Sequence, residues 1–241
     1  MKTVSKTDTG LVRTSNQDAC GCGLLPDGAW MVVCDGMGGA NGGNIASEMA
    51  LSCMEAQIHN EYQPGLASAS IRNLLTAAAY TANTHIYDAA QNDPNLSGMG
   101  TTLVAIIVAN GTAHIVHAGD SRAYQISASG VRQLTMDHSM VQEMLNRGDI
   151  TAEEAQRHPH KNIITRALGV QEMIDTDYTE LPFCQGDTLL ACSDGLSNYV
   201  HAEQIYQYAQ AYQGQELADA LVQAALAGGG GDNITVALIE N

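Results

Sequence analysis

Four aspartates, each beside a glycine at the boundary of an apolar run, restrict this sequence to few sheet architectures. Asp35 follows Trp30-Met31-Val32-Val33-Cys34, Asp120 follows Ile115-Val116-His117-Ala118-Gly119, and Asp194 follows Leu189-Leu190-Ala191-Cys192-Ser193. Asp232 instead precedes Asn233-Ile234-Thr235-Val236-Ala237-Leu238-Ile239. Apolar, β-branched runs of this length read as buried strands, so three aspartates stand at strand exits and one at an entrance. In a parallel sheet Asp232 would lie at the wrong end. In antiparallel sheets the entrance of one strand neighbours the exit of the next, and all four carboxylates can meet at one edge.

The connections agree with antiparallel order. Asn110-Gly111 is a hairpin signal between strands at 101–108 and 113–117. Gly119-Asp120-Ser121-Arg122 turns into a strand at 123–126, and Ser129-Gly130 into one at 131–134, so this block reads as a meander. The strand at 30–34 stops at Asp35, where Gly36, Gly38, Gly39, Gly42 and Gly43 permit a sharp turn and close approach of a ligand. Ile45, Met49, Cys53 and Ala56 predict an amphipathic helix over 43–59. Leu74, Leu75, Ala78, Ala82, Ile86 and Ala89 predict a second over 67–90. Two helices in succession exclude a plain βαβαβ alternation.

Residues 9–18 form an irregular or extended segment carrying Arg13 and Asp18. Short helices are expected at 137–147 and 151–157, the second with a Thr151/Glu154 capping box, followed by a polar loop at 158–162. Residues 138–162 read as a mobile insertion over the sheet. Strands at 187–192 and 234–239 and helices at 201–211 and 215–227 complete the chain. With no repeat or linker, residues 1–241 are expected to form one domain.

Ten Lys and Arg against 26 Asp and Glu give a net charge of −16, which repels nucleic acid and anionic membranes. No apolar run reaches the ~18 residues of a membrane span, and the N-terminus lacks a signal-peptide core, so a cytoplasmic protein is expected. Six scattered cysteines without a C-x-x-C pair read as reduced thiols, with Cys20 and Cys22 unplaced. A lone Asp-Gly is usually only a turn, but converging carboxylates repel one another unless cations relieve them. Oxygen-only donors select Mg²⁺ or Mn²⁺ over softer metals, and no EF-hand loop favours Ca²⁺. Two such ions about 3.5–4 Å apart can clamp a phosphate and generate a hydroxide for in-line attack. The planar fork of Arg13 matches phosphate oxygens bidentately.

The same residues carry a family pattern. In order they are Arg13-x-x-Asn16-Gln17-Asp18, Asp35-Gly36-Met37-Gly38-Gly39, Gly98-Met99-Gly100-Thr101-Thr102 and Gly119-Asp120-Ser121-Arg122. Asp137-His138-Ser139, Ile164-Thr165-Arg166-Ala167-Leu168-Gly169, Ser193-Asp194-Gly195-Leu196 and Gly231-Asp232-Asn233-Ile234-Thr235 follow. The sequence thus resembles the metal-dependent protein phosphatases of the PPM type (type 2C Ser/Thr phosphatases) in their compact bacterial form. The resemblance implies an α+β fold, a four-layer αββα sandwich of two antiparallel sheets flanked by helices, with metals at one edge. It implies that Asp35 bridges two Mg²⁺ or Mn²⁺ ions, that Gly36 offers its carbonyl, and that Asp194 and Asp232 complete the first ion. Asp120 and Asp194 would hold a third ion, and Asp18 would bind the second mainly through water. Arg13 would grip the substrate phosphate, and residues 138–162 would be the family's flap, which influences substrate choice.

Two positions depart from the eukaryotic pattern. Met37 replaces a His that serves many members as a candidate acid for the leaving alkoxide. A thioether donates no proton, so metal-bound water or another group must do so, His138 being one candidate. Gln17 replaces Glu and removes a charge near the second ion. The implied activity is hydrolysis of phosphoserine and phosphothreonine in proteins by a metal-bridging water or hydroxide held at Asp35. The implied partners are a transmembrane Ser/Thr kinase and its substrates. Two alternatives are a regulatory phosphatase of an anti-sigma-factor antagonist and a non-catalytic metal- or phosphopeptide-binding module. The module predicts loss of a metal aspartate or of Arg13, and all are present.

Overall fold

The computed structural model describes the backbone of residues 1–241 and all side chains except those of 39–41 and 156, so Gly39 of the glycine run falls among the positions not described in full. The chain begins with β1 (Lys2–Asp8), β2 (Asp18–Leu25) and β3 (Gly28–Met37), followed by helices α1 (Gly39–Glu61) and α2 (Ser68–Asn92). After a 3₁₀ turn come β4 (Gly100–Thr101), β5 (Leu103–Ala109), β6 (Thr112–Ala118), β7 (Arg122–Ser127) and β8 (Gly130–Gln133). Helices α3 (Met140–Arg147) and α4 (Ala152–Arg157) lead to β9 (Asp177–Pro182) and β10 (Thr188–Cys192). The last elements are α5 (Asp194–Ser197), α6 (Ala202–Ala211), α7 (Gly214–Ala227) and β11 (Ile234–Glu240).

One sheet has the order β1-β11-β10-β7-β8 and the other β2-β3-β5-β6-β9, with β4 attached to β3; every pairing is antiparallel. The central strands explain the four layers. On β3, Trp30, Val32 and Cys34 pack beneath α1 and α2, while Ala29, Met31 and Val33 face the opposite sheet. On β11, Ala237 and Ile239 face that same interior, while Val236 and Leu238 pack against the cluster that includes Leu217, Leu221 and Val222 of α7. Strands buried on both faces must be apolar throughout, so they appear in the sequence as unbroken runs. Two helices on one outer face and two on the other close the αββα sandwich.

Three local expectations are corrected. The strand at 30–34 does not stop at Asp35: β3 continues through Gly36 and Met37 because these pair with Thr101 and Gly100 of β4. The glycine run accordingly starts α1 instead of forming an open loop. The meander is two hairpins in different sheets, β5–β6 in one and β7–β8 in the other, and residues 119–121 cross between them. Alternation of apolar residues reveals strands but not which sheet each joins. β1, β2 and β9 lack the unbroken apolar runs that mark a strand in the sequence; each is an edge strand, paired on one side only.

Ser139 caps α3 and the Thr151/Glu154 box caps α4, as the sequence indicates for the latter. All six cysteines are free, and Cys20 and Cys22 pack from β2 against the interior between the sheets. Among the described residues, no helix is long and apolar enough to cross a membrane.

Candidate active site

The two sheets end together at a cavity of about 530 Å³, lined by Arg13, Asp35, Gly36, Met37, Thr102, Asp120, Asp194 and Asp232 among others. Each aspartate arrives from a different element. Asp35 lies within β3, and Asp18 of β2 stands opposite it in register. Asp120 sits on the crossover between sheets, Asp194 opens α5 directly after β10, and Asp232 precedes β11. Asp18 is not part of the cavity lining; it lies behind Asp35, and its Oδ2 accepts a hydrogen bond from Ser193 Oγ at 2.8 Å.

Backbone crowding fixes this convergence. A Cβ on Gly36 would stand 2.0 Å from the Gly43 carbonyl oxygen, and one on Gly195 would stand 1.9 Å from that of Asn233. Only glycine permits these approaches. Thr102 holds Asp35 from the side: its Oγ1 accepts the Asp35 N–H at 2.9 Å, and its N–H donates to the Asp35 carbonyl at 2.9 Å. The same hydroxyl lies 2.7 Å from Ser121 Oγ, which ties β3 to the crossover that carries Asp120.

Arg13 extends over this floor, with Nη2 donating to Asp232 Oδ2 at 2.8 Å while half of its side chain remains exposed. Its loop is held by Asn233, a residue to which the sequence assigned no role of its own. The Asn233 side chain donates to the Thr9 and Ser15 carbonyls at 2.9 and 3.0 Å and accepts the Gln17 N–H at 2.8 Å. Its place beside Asp232 was visible in the sequence; these contacts, more than 200 residues apart along the chain, were not.

Electrostatics here favour a cation. Burial, then repulsion from Asp18 and Asp194, raises the Asp35 carboxyl well above the usual range. Burial pushes Asp18 up to about 6 against the pull of hydrogen bonds from Thr235 and Ser193. Burial and the neighbouring Asp194 push Asp120 up to about 7, and burial with Asp232 raises Asp194. Asp18 Oδ1 and Asp194 Oδ1 are buried without a hydrogen-bond partner. Buried polar atoms in native proteins are normally satisfied, so orphaned carboxylate oxygens among raised carboxyls fit a hard divalent ion.

His138 does not join this cavity. Its Nδ1 accepts the Gly119 N–H at 3.1 Å, and its Nε2 lies 3.4 Å from Asp177 and 3.3 Å from Arg166. It stacks on His117 with ring centroids 4.5 Å apart, supporting the crossover from behind; it is not placed to protonate a leaving group. Ligand atoms of His117, His138 and Asp177 lie within 4.8 Å of one another, but the Arg166 guanidinium, 2.9 Å from Asp177 Oδ1, already supplies positive charge there.

Residues 12–227 match the Protein phosphatase 2C family. The chain belongs to this family. It is 40% identical over 237 residues to the serine/threonine phosphatase Stp of Listeria monocytogenes, covering 98% of this chain and 94% of that protein. The crystal structure of the Mycobacterium tuberculosis serine/threonine phosphatase PstP superposes with a TM-score of 0.89 at 35% identity, covering 100% of this chain and 99% of that one. The catalytic domain of PstP in complex with two manganese ions superposes at 0.84 with 34% identity, covering 98% and 96%. As a 2C-family protein, the chain has the α+β architecture its motifs imply.

Proposed function

We propose that this 2C-family chain is a protein serine/threonine phosphatase that hydrolyses phosphoserine and phosphothreonine. The observation that carries this reading is the convergence of Asp35, Asp120, Asp194, Asp232 and Arg13 on one open cavity. Asp35, Asp194 and Asp232, with the Gly36 carbonyl, are assigned to two Mg²⁺ or Mn²⁺ ions. Asp120 with Asp194 is assigned to a third, and Asp18 to the second ion through water. When bound, such ions supply Lewis-acid activation of water and of the phosphoryl group. The PstP catalytic domain solved with two manganese ions supports the two-ion part of this assignment.

The chain's own groups do the rest. Arg13 turns from Asp232 to the phosphate oxygens and stabilises the charge that grows on them as water attacks in line. Asp35, held by Thr102 on β3, orients that water and draws on its proton. The bond to the seryl or threonyl oxygen breaks on the opposite side, and the alkoxide takes a proton from solvent in the open cavity, because Met37 has none to give. The sequence has no C-x₅-R loop for a phosphoenzyme, so one displacement suffices.

The substrates are phosphoproteins supplied by a Ser/Thr kinase, in a cytoplasmic signalling role. Residues 138–162 act as a flap on a single domain. Mn²⁺-dependent hydrolysis of p-nitrophenyl phosphate and of a phosphothreonine peptide tests the reading. No turnover in excess Mn²⁺, with binding of the ion demonstrated, would overturn it.

A further inference from the structure

Beside the carboxylate cavity opens a second cleft of about 300 Å³, lined by the apolar side chains of Met37, Ile164, Val170, Met173 and Ile174 and by the polar ones of Thr165, Arg166, Gln171 and Asp175. Met37 and Ile164 line both, so the two are immediate neighbours. We propose that the apolar wall of this cleft is a substrate subsite that holds a hydrophobic side chain close to the phosphorylated residue, making Val170 and Met173 determinants of peptide specificity. The proposal rests on the phosphatase reading.

The cleft is built rather than incidental. Its outer wall is fastened to α2 by buried Asn83, which accepts the Gly169 N–H at 2.8 Å and donates to the Gln171 and Glu172 carbonyls, each at 3.0 Å. Tyr80 of the same helix donates its hydroxyl to Met173 Sδ at 3.4 Å. A Cβ on Gly100 would lie 2.8 Å from Val170 Cγ2 and 3.0 Å from Met37 Cε, so these two side chains close over a floor that only glycine leaves open. Val170 and Met173 nevertheless remain 48% and 64% exposed. A wall pinned this firmly, yet presenting apolar side chains to water, is shaped to meet a partner.

Adjacency identifies the partner. A peptide whose phosphate sits over the aspartates advances about 3.3 Å per extended residue, so its next residues reach the neighbouring cleft. Charge argues the same way. At −16 the chain repels an anionic phosphoprotein at long range, and apolar contacts beside the phosphate supply affinity that this repulsion does not weaken.

The test compares kcat/KM for pairs of phosphothreonine peptides that carry either Leu or Asn at positions within three residues of the phosphothreonine. On one side the Leu peptide is expected to be turned over about tenfold better, about 1.4 kcal/mol. Val170→Asp and Met173→Glu are each expected to shrink that ratio to about twofold, while Val170→Leu keeps it. Each ratio is read on one enzyme sample, so loss of active protein cancels. Equal turnover of Leu and Asn peptides by the wild type, or an unchanged ratio in both charged variants, overturns the subsite. A concentration-dependent dimer broken by Val170→Asp, with equal peptide turnover, would assign the cleft to self-association instead. Should neither peptide nor p-nitrophenyl phosphate be hydrolysed, the phosphatase reading fails by itself. Anisotropy of fluorescent non-hydrolysable phosphonate peptides, Leu against Asn, still decides the cleft.

Discussion

The Asn233 amide fastens the Thr9, Ser15 and Gln17 backbones, and so sets where Arg13 stands over the aspartates. Removing it frees the arginine without changing any group assigned to the ions. Asn233→Ala is therefore expected to raise KM for a phosphothreonine peptide about tenfold with a smaller fall in kcat; steady-state kinetics separate the two. Arg13→Ala, which deletes the fork itself, is expected to lower kcat/KM roughly 10²-fold, in the range measured for the loss of one preorganised donor. Asp120→Ala should lower kcat while calorimetric titration still counts two tightly held Mn²⁺ ions. Wild-type turnover in that variant would remove the role assigned to the crossover aspartate. The four glycine-flanked aspartates could be read from the sequence because each combines a local turn signal with the end of an apolar run. Thr102 and Ser121 as supports of Asp35 and the crossover could not, because their meaning lies in contacts between distant segments.

At the scale of elements, visibility followed burial. β3, β10 and β11 are covered on both faces and show as apolar runs, whereas β1 reads Lys-Thr-Val-Ser-Lys-Thr-Asp and gains its strand character only by pairing with β11. β2 carries two glycines, Gly21 and Gly23, whose positions crowd against Trp30, so it reads as loop although it spans the sheet edge. The crossover at 119–121 looks like a turn in the sequence because its direction depends on sheet packing, not local pattern. The approach of β3 to the start of α1 leads to a sharper expectation. Gly36→Ala forces the new Cβ against the Gly43 carbonyl oxygen at 2.0 Å, and because that neighbour is backbone no side chain can yield to relieve it. This variant should lose several kcal/mol in denaturant unfolding or fail to accumulate as folded protein. A folded Gly36→Ala protein with wild-type stability would show that β3 can shift away from α1.

For the whole molecule, the crowded carboxyls link stability to pH. Asp18 and Asp120 hold their protons up to about 6 and 7 when folded, against an ordinary value of 3.8. A carboxyl whose folded value is raised contributes stability below its unfolded value, and that contribution disappears as pH rises through the folded one. In the absence of divalent ions these carboxyls should therefore withdraw thermal stability between about pH 4 and pH 7, against the opposite contribution of the buried His114, His117 and His138. Ion binding requires the deprotonated groups, so Mn²⁺ should raise the melting temperature more at pH 7.5 than at pH 5.5. Equal increments at the two pH values in calorimetric scans would contradict this linkage.

The crossover divides the site between two sheets, and that division governs timing during synthesis. Asp18 and Asp35 belong to one sheet, Asp194 and Asp232 flank β10 and β11 of the other, and Arg13 bonds to a partner 219 residues further along. A growing chain that has already made Arg13, Asp35 and Asp120 still has nothing to close the cavity until residue 232 leaves the ribosome. A fragment that ends before residue 232 is therefore expected to show no phosphatase activity, so that dephosphorylation waits for the finished fold.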